Sequence, residues 1–274
     1  MKKVALVALC ACWGCSSSEP AAAAVPDAAT AQPDGTAEAG VNPVCTAKSP
    51  VQATDLAGKW AWKTVASRFE PATGFVSAFY TRTISILLAE QTQTGADVTA
   101  SVAYCDQYNE DPDALVHVII PDAYKRILKP LTAHGVYDGD LLRISPIVEV
   151  VGAHLTDPAT EALPTDPTDP RLFDEDGDGK PGVTIKVQGL GDAYVTQRTI
   201  SQPLLVAVSQ DRLEGHFDYT SEQVIVDSLP TTIKALAGQK AIVDPNACAS
   251  TFTAVRIAAA STCADIAGDA GSPF

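Results

Sequence analysis

Gly95-Ala96-Asp97-Val98-Thr99-Ala100-Ser101-Val102-Ala103-Tyr104 decides the fold class. After a turn, Val98, Ala100, Val102 and Tyr104 alternate with Thr99, Ser101 and Ala103. A period of two sends the first set to one face of a strand and the second to the other, so one face is built for a core. Residues 75–91, just upstream, are rich in Phe, Tyr, Thr and Ile, which suit a pleated surface. The two stretches read as one long hairpin.

The same pattern extends in both directions. Residues 115–120 read as an apolar strand ended by Pro121, and 123–128 as a short helical turn. Residues 136–144 form a hairpin turned at Tyr137-Asp138-Gly139-Asp140, since Asp-Gly favours the tight turn. Strands follow at 147–151, 183–187 and 194–208, the last with a bulge or edge position at Pro203. Leu213, Gly215, Phe217 and Tyr219 then alternate with Arg212, Glu214, His216 and Asp218, which turns His216 outward between two acids. A short helix is expected within 231–240 and a last strand at 251–257. Arg82-Thr83-Ile84-Ser85 returns as Arg198-Thr199-Ile200-Ser201 in a similar context, an echo that shared strand chemistry explains more simply than a repeated meander. The fold class is therefore all-β, an antiparallel barrel or sandwich with minor short helices, in one domain over 46–266.

Trp60 and Trp62 are two apart, so a strand places both on one face. Gly58-Lys59-Trp60 after a short turn resembles the start of the lipocalin family and its calycin relatives, and Phe217-Asp218-Tyr219-Thr220 is similar to that family's middle motif with Phe for Thr. The resemblance implies a barrel closed at one end by the Trp, with an Arg near the last strand packed against it; Arg256 stands in that place. It also implies an apolar cavity, with Trp60, Trp62 and Arg256 as its candidate residues.

Between 156 and 172 periodicity stops, and repeated Asp-Pro steps predict an extended, solvent-facing loop. It ends in Asp174-Glu175-Asp176-Gly177-Asp178-Gly179-Lys180. Carboxylates at positions one, three and five, a glycine at six and a carbonyl (Lys180) at seven suit a hard cation such as Ca²⁺, which takes oxygen ligands. The run resembles the calcium loops of EF-hands, dockerins and thrombospondin type-3 repeats. It departs from the EF-hand at position twelve, where Ile185 replaces a bidentate Glu. Asp169, Glu175 or water would have to supply the missing ligands. Calcium is the one cofactor expected, weakly bound and structural.

Lys2 and Lys3 precede an apolar run at 4–11, long enough for a secretory signal and too short to span a bilayer. Gly14-Cys15-Ser16 resembles the lipobox of bacterial lipoproteins, with Cys12 after Ala11 as the alternative lipidation site. The resemblance implies cleavage before a lipidated cysteine and, from the serine that follows, an outer-membrane destination, on the periplasmic face or at the cell surface. The organisation read from the sequence is a signal over 1–15, an Ala/Pro-rich disordered tether over 16–45, the β domain, and a flexible tail over 267–274. Cys45, Cys105, Cys248 and Cys263 remain in the exported part, an even number that predicts two disulfides. Bringing the ends of a closed sheet together favours Cys45 with Cys263 and Cys105 with Cys248.

Without Lys2 and Lys3, 33 acidic residues stand against 17 basic ones. That excess disfavours nucleic acid and anionic lipid as partners. His117, His134, His154 and His216 lack metal-ligand spacing, and no catalytic motif is present. The leading expectation is a non-enzymatic surface lipoprotein held at the membrane by its lipid, with a calcium-stabilised loop and a structural or interaction role. A lipocalin-like barrel binding a small apolar ligand is the alternative, and an extracytoplasmic hydrolase the third.

Overall fold

In a computed structural model of the chain, the described residues are Cys45, 48–71, 78–114, 117–236, 242–268 and 272–274. The expected signal segment, both lipidation candidates and the expected tether before Cys45 lie outside them. In chain order the elements are β1 (Gly58–Glu70), β2 (Phe79–Thr94), β3 (Asp97–Glu110), β4 (Val118–Ile119), helix α1 (Asp122–Ile127), β5 (Leu131–Asp138), β6 (Leu141–Ile144), β7 (Ile147–Val151), β8 (Val183–Val187), β9 (Gly191–Ser209), β10 (Arg212–Leu229), helix α2 (Thr232–Leu236), β11 (Ile242–Val243), β12 (Thr251–Arg256) and helix α3 (Cys263–Ile266).

The strands β1, β2, β3, β5, β6, β9, β10 and β12 pair antiparallel in that order, and β12 returns to β1. The pairing closes on itself through eight strands, where a sandwich would stay open, so the fold is a barrel. The ring follows chain order, with short turns at Gly95 and Gly139 joining β2 to β3 and β5 to β6, and longer connections carrying β4, β7, β8 and β11.

Alternation fills one end of the barrel. Trp60, Trp62, Leu87, Val98, Ala100, Val102, Leu142, Leu205, Leu213 and Phe252 form a single buried cluster, with Leu56 folded in beneath. Trp62 meets Phe252 edge-on at 5.1 Å, the geometry aromatic quadrupoles favour. Arg256 lies under the barrel floor, its guanidinium 4.5 Å from the Trp60 ring centroid, and donates to the carbonyls of Ala57 and Asp55. Gly58, at φ +121°, is required there: a Cβ would meet Arg256 Nη1 at 2.9 Å.

At the other end the wall comes apart twice. β3 pairs with β5 only up to Val102, and β7 and β8 pair with β9 rather than with upper β3. β12 pairs with β1 only from Trp60 to Val65, and above it only the two-residue β11 pairs with β1, at Arg68 and Phe69. Side chains bridge both seams. Tyr104 Oη donates to Glu149 Oε1 at 2.5 Å across the first, and α1 adds Lys125 on Asp106 at 2.7 Å. Across the second, Tyr219 Oη donates to the Ser67 carbonyl at 2.6 Å, Ser67 Oγ to Asp244 at 2.7 Å, and Arg68 Nη2 to Ser221 Oγ at 3.0 Å.

Several expectations are corrected. The disulfides join Cys45 to Cys248 and Cys105 to Cys263. After β12 the chain runs on to α3, which packs outside β2 and β3 and reaches Cys105 on the outer face, at a bulge of β3 opposite Ile86 and Leu87. The entering chain instead crosses β9 and β10, through Val51 on Ala207 and Lys48 on Glu214. His216 does not face solvent but is 1% exposed. It sits on the outer face opposite Thr251, where the Cys45–Cys248 bond ties the entering chain down. Pro203 makes no bulge; it falls between the residues of β9 that pair with β6 and those that pair with β7, so its missing N–H costs no ladder bond. Of the strand expected at 115–120, residues 115–116 lie outside the described residues, and the rest holds β4, on β8. Phe274, in the expected tail, packs on the α3 cluster.

Candidate functional site

Above the Trp62–Phe252 layer the barrel is hollow. An inner cavity of about 110 Å³ has Trp62, Phe217 and Phe252 among its lining residues. It shares Arg68, Thr83, Gln107, Gln197 and Tyr219 with a wider mouth of about 640 Å³, whose lining includes the exposed Val118 and Val243.

The lining is mixed rather than apolar. Thr83, Ser85, Thr199 and Ser201 all face the inner cavity, so the sequence echo at 82–85 and 198–201 marks two matching polar walls on β2 and β9. Most of these groups satisfy one another. Gln107 Nε2 donates to Ser85 at 3.0 Å, Thr83 to Asn109 at 2.8 Å and Gln197 to Thr199 at 3.1 Å. Burial raises the Glu149 carboxyl, while the bond from Tyr104 opposes that rise. Burial, then the neighbouring carboxylate, pushes the Tyr104 phenol well up.

Of the three cavity residues taken from the resemblance, Trp62 lines the cavity. Trp60 is fully buried in the closed end and Arg256 lies below it, so both seal the barrel and touch no cavity. Arg68, Tyr104 and Glu149 were not singled out. The signal for Arg68 lay in register: counting by twos from Trp60 and Trp62 reaches it on the same inward face.

The acidic loop forms a second site. Asp174, Asp176 and Asp178 bring one carboxylate oxygen each within 4.8 Å of the others. Asp174 accepts from the backbone N–H groups of Gly177, Asp178 and Gly179, which lowers its carboxyl. Gly179 turns the chain at φ +81°, as position six demands. Asp178 accepts from Lys180 N and Thr184 Oγ1, and Asp176 Oδ2 from Thr184 N. Asp176 Oδ1 is buried with no donor, and burial together with Asp178 and Asp174 raises that carboxyl. A cation would relieve both the orphaned oxygen and the repulsion, so these residues fit Ca²⁺.

The extra ligands lie elsewhere. Glu175 accepts from Gly152 N at 2.6 Å and pairs with Lys129 at 2.9 Å. Asp169 is bound by Arg171, whose bonds hold it down to about 2. Lys180 places its ammonium 5.6 Å over Tyr194, and Ile185 is in the core with Tyr124 and Val183. The long loop is not free: Arg171 also holds Glu161, Arg198 caps the Glu161 carbonyl, and Leu163 is buried.

The histidines stay apart: His117 bonds Asp111 at 2.7 Å, His154 stacks on Phe173 at 3.9 Å, and His134 lies 3.3 Å from Thr99. Comparison with protein-family models, curated proteins and solved structures finds no match for this chain.

Proposed function

We propose that this protein is an exported, lipid-anchored β-barrel that holds a small molecule in its hollow end. One observation carries the reading: the eight-strand ring is plugged at one end by the Trp60–Trp62 layer and empty at the other. Strands ordered around the ring as in the chain, and Trp60 resting on Arg256, support a lipocalin-like architecture. The mixed lining favours a molecule with both apolar and hydrogen-bonding parts over a purely apolar one. The proposed role is binding, and the carboxylates around the hollow end are engaged in structural contacts: Glu222 with Arg198, Asp111 with His117 and Glu149 with Tyr104.

The test is occupancy by a neutral dye such as Nile red. Bound dye should fluoresce, and Ser85→Phe, which fills the inner cavity, should abolish the signal while the barrel stays folded. Dye binding unchanged in that variant would refute the reading.

The acidic loop supports a second proposal, independent of the first. Asp174, Asp176 and Asp178 would hold a structural Ca²⁺, closing the longest connection of the barrel onto β8. Bound there, the ion supplies charge neutralisation and nothing more. Lipidation at Cys15, or at Cys12, is tested by palmitate labelling of Cys→Ser variants at each position; labelling that survives both substitutions excludes the anchor.

A further inference from the structure

We propose that the hollow end takes a carboxylate-bearing molecule, with Arg68 as the residue that binds its charge. The inference rests on the barrel reading above and names the chemistry of its ligand. Arg68 lines both the inner cavity and the mouth. Its guanidinium carries five N–H donors; Nη2 donates to Ser221 Oγ at 3.0 Å, and the Tyr219 hydroxyl is the other neutral group in hydrogen-bond contact with it. Nε is buried with no acceptor, and among the described residues no carboxylate lies within ion-pair distance of this side chain.

A buried lysine or carboxylate escapes such a position by neutralising; an arginine cannot. The walls do not meet the demand either. Among the acceptors, Gln197 Oε1 already takes Gln223 Nε2, Ser221 Oγ takes Arg68 Nη2 itself, and Glu149 is taken by Tyr104. Glu70, two residues along the same face, is the nearest acid on its strand. Arg68 acts on it through space, but no bond or ion pair joins the two within 4.0 Å. What is missing beside Arg68 is a planar, anionic acceptor, and the guanidinium fork matches a carboxylate.

The surroundings narrow the class. Trp62, Phe217 and Phe252 below Arg68 offer an apolar floor for the rest of the molecule. Glu70, Asp111 and Glu222 at the mouth would repel a second negative charge. The ligand class is therefore a monocarboxylate with an apolar arm.

The experiment compares octanoate with 1-octanol by calorimetric titration of the purified protein, alongside Nile red binding. Octanoate should bind at least tenfold tighter than 1-octanol. Arg68→Gln should erase that difference, and Arg82→Gln, on the exposed side of β2, should preserve it. Equal binding of acid and alcohol by the unsubstituted protein, or a preference retained in Arg68→Gln, would overturn the proposal. Should Arg68→Gln fail to fold, the Nε–H resonance of Arg68 in the unsubstituted protein decides: it must shift with octanoate and not with 1-octanol, and an unmoved resonance refutes the assignment. Nile red or 1-octanol binding without an octanoate preference defeats this proposal alone. If no probe binds, the barrel reading fails and this one with it.

Discussion

Calcium should stabilise the fold measurably, and Asp176 is the residue through which the effect is read. Its Oδ1 is buried without a donor, and two further carboxylates lie within 4.8 Å. Three side-chain ligands, with Glu175 and Asp169 committed to other partners, place the site among weak extracellular-type loops, with Kd of about 10⁻⁴–10⁻³ M. At about 10 mM Ca²⁺, a ligand that binds only the folded state then contributes roughly 1.4–2.7 kcal/mol. For a domain of this size that raises Tm by about 3–10 °C. The assay is differential scanning calorimetry in EDTA and in Ca²⁺. Asp176→Asn should be neutral or stabilising in EDTA, since it removes a carboxylate whose ionisation burial and its neighbours disfavour. The same variant should lose most of the rise in Ca²⁺. No rise in the unsubstituted protein, or an undiminished rise in the variant, would refute the site.

Four further outcomes follow from the seams, the floor and the disulfides. Tyr104→Phe strips the donor from the buried Glu149 carboxylate and should cost about 1–3 kcal/mol at neutral pH. Because the folded state raises the Glu149 carboxyl, its contribution to stability is full below the ordinary glutamate range and is lost as pH rises through the folded value; Glu149→Gln should flatten that decline, and urea midpoints between about pH 4 and 8 that keep the same slope would contradict it. Arg256→Ala removes a cation over Trp60 and two bonds to carbonyls, and should lower stability by about 2–4 kcal/mol in denaturant titration without changing dye binding at the far end. Replacing Cys105 and Cys263 together by Ser should cost about 2–5 kcal/mol, and a non-reduced digest should yield Cys45 joined to Cys248.

The strands were legible because burial alternates with side-chain direction: Val98, Ala100 and Val102 face the core as their spacing required. The Trp60–Arg256 contact was legible from the resemblance. The disulfide pairing was not, because it turns on the outward bulge at Cys105 and on which way α3 runs after β12. His216 was misread for a related reason. Alternation gives the face a residue lies on, but not whether an incoming segment covers that face. The polar seams were invisible because they arise where strands stop pairing, and pairing length depends on partners far away in sequence. Tyr104 and Glu149 are 45 residues apart and meet only because β7 pairs with β9 and leaves upper β3 free.

The central claim is that the barrel's hollow end is a binding site, and the direct measurement is isotope-filtered NMR of the protein saturated with octanoate. The account predicts intermolecular Overhauser effects to Trp62, Phe217 and Phe252 and none to Trp60, which belongs to the sealed end. Contacts confined to the outer surface, or no contact with Trp62, would contradict it.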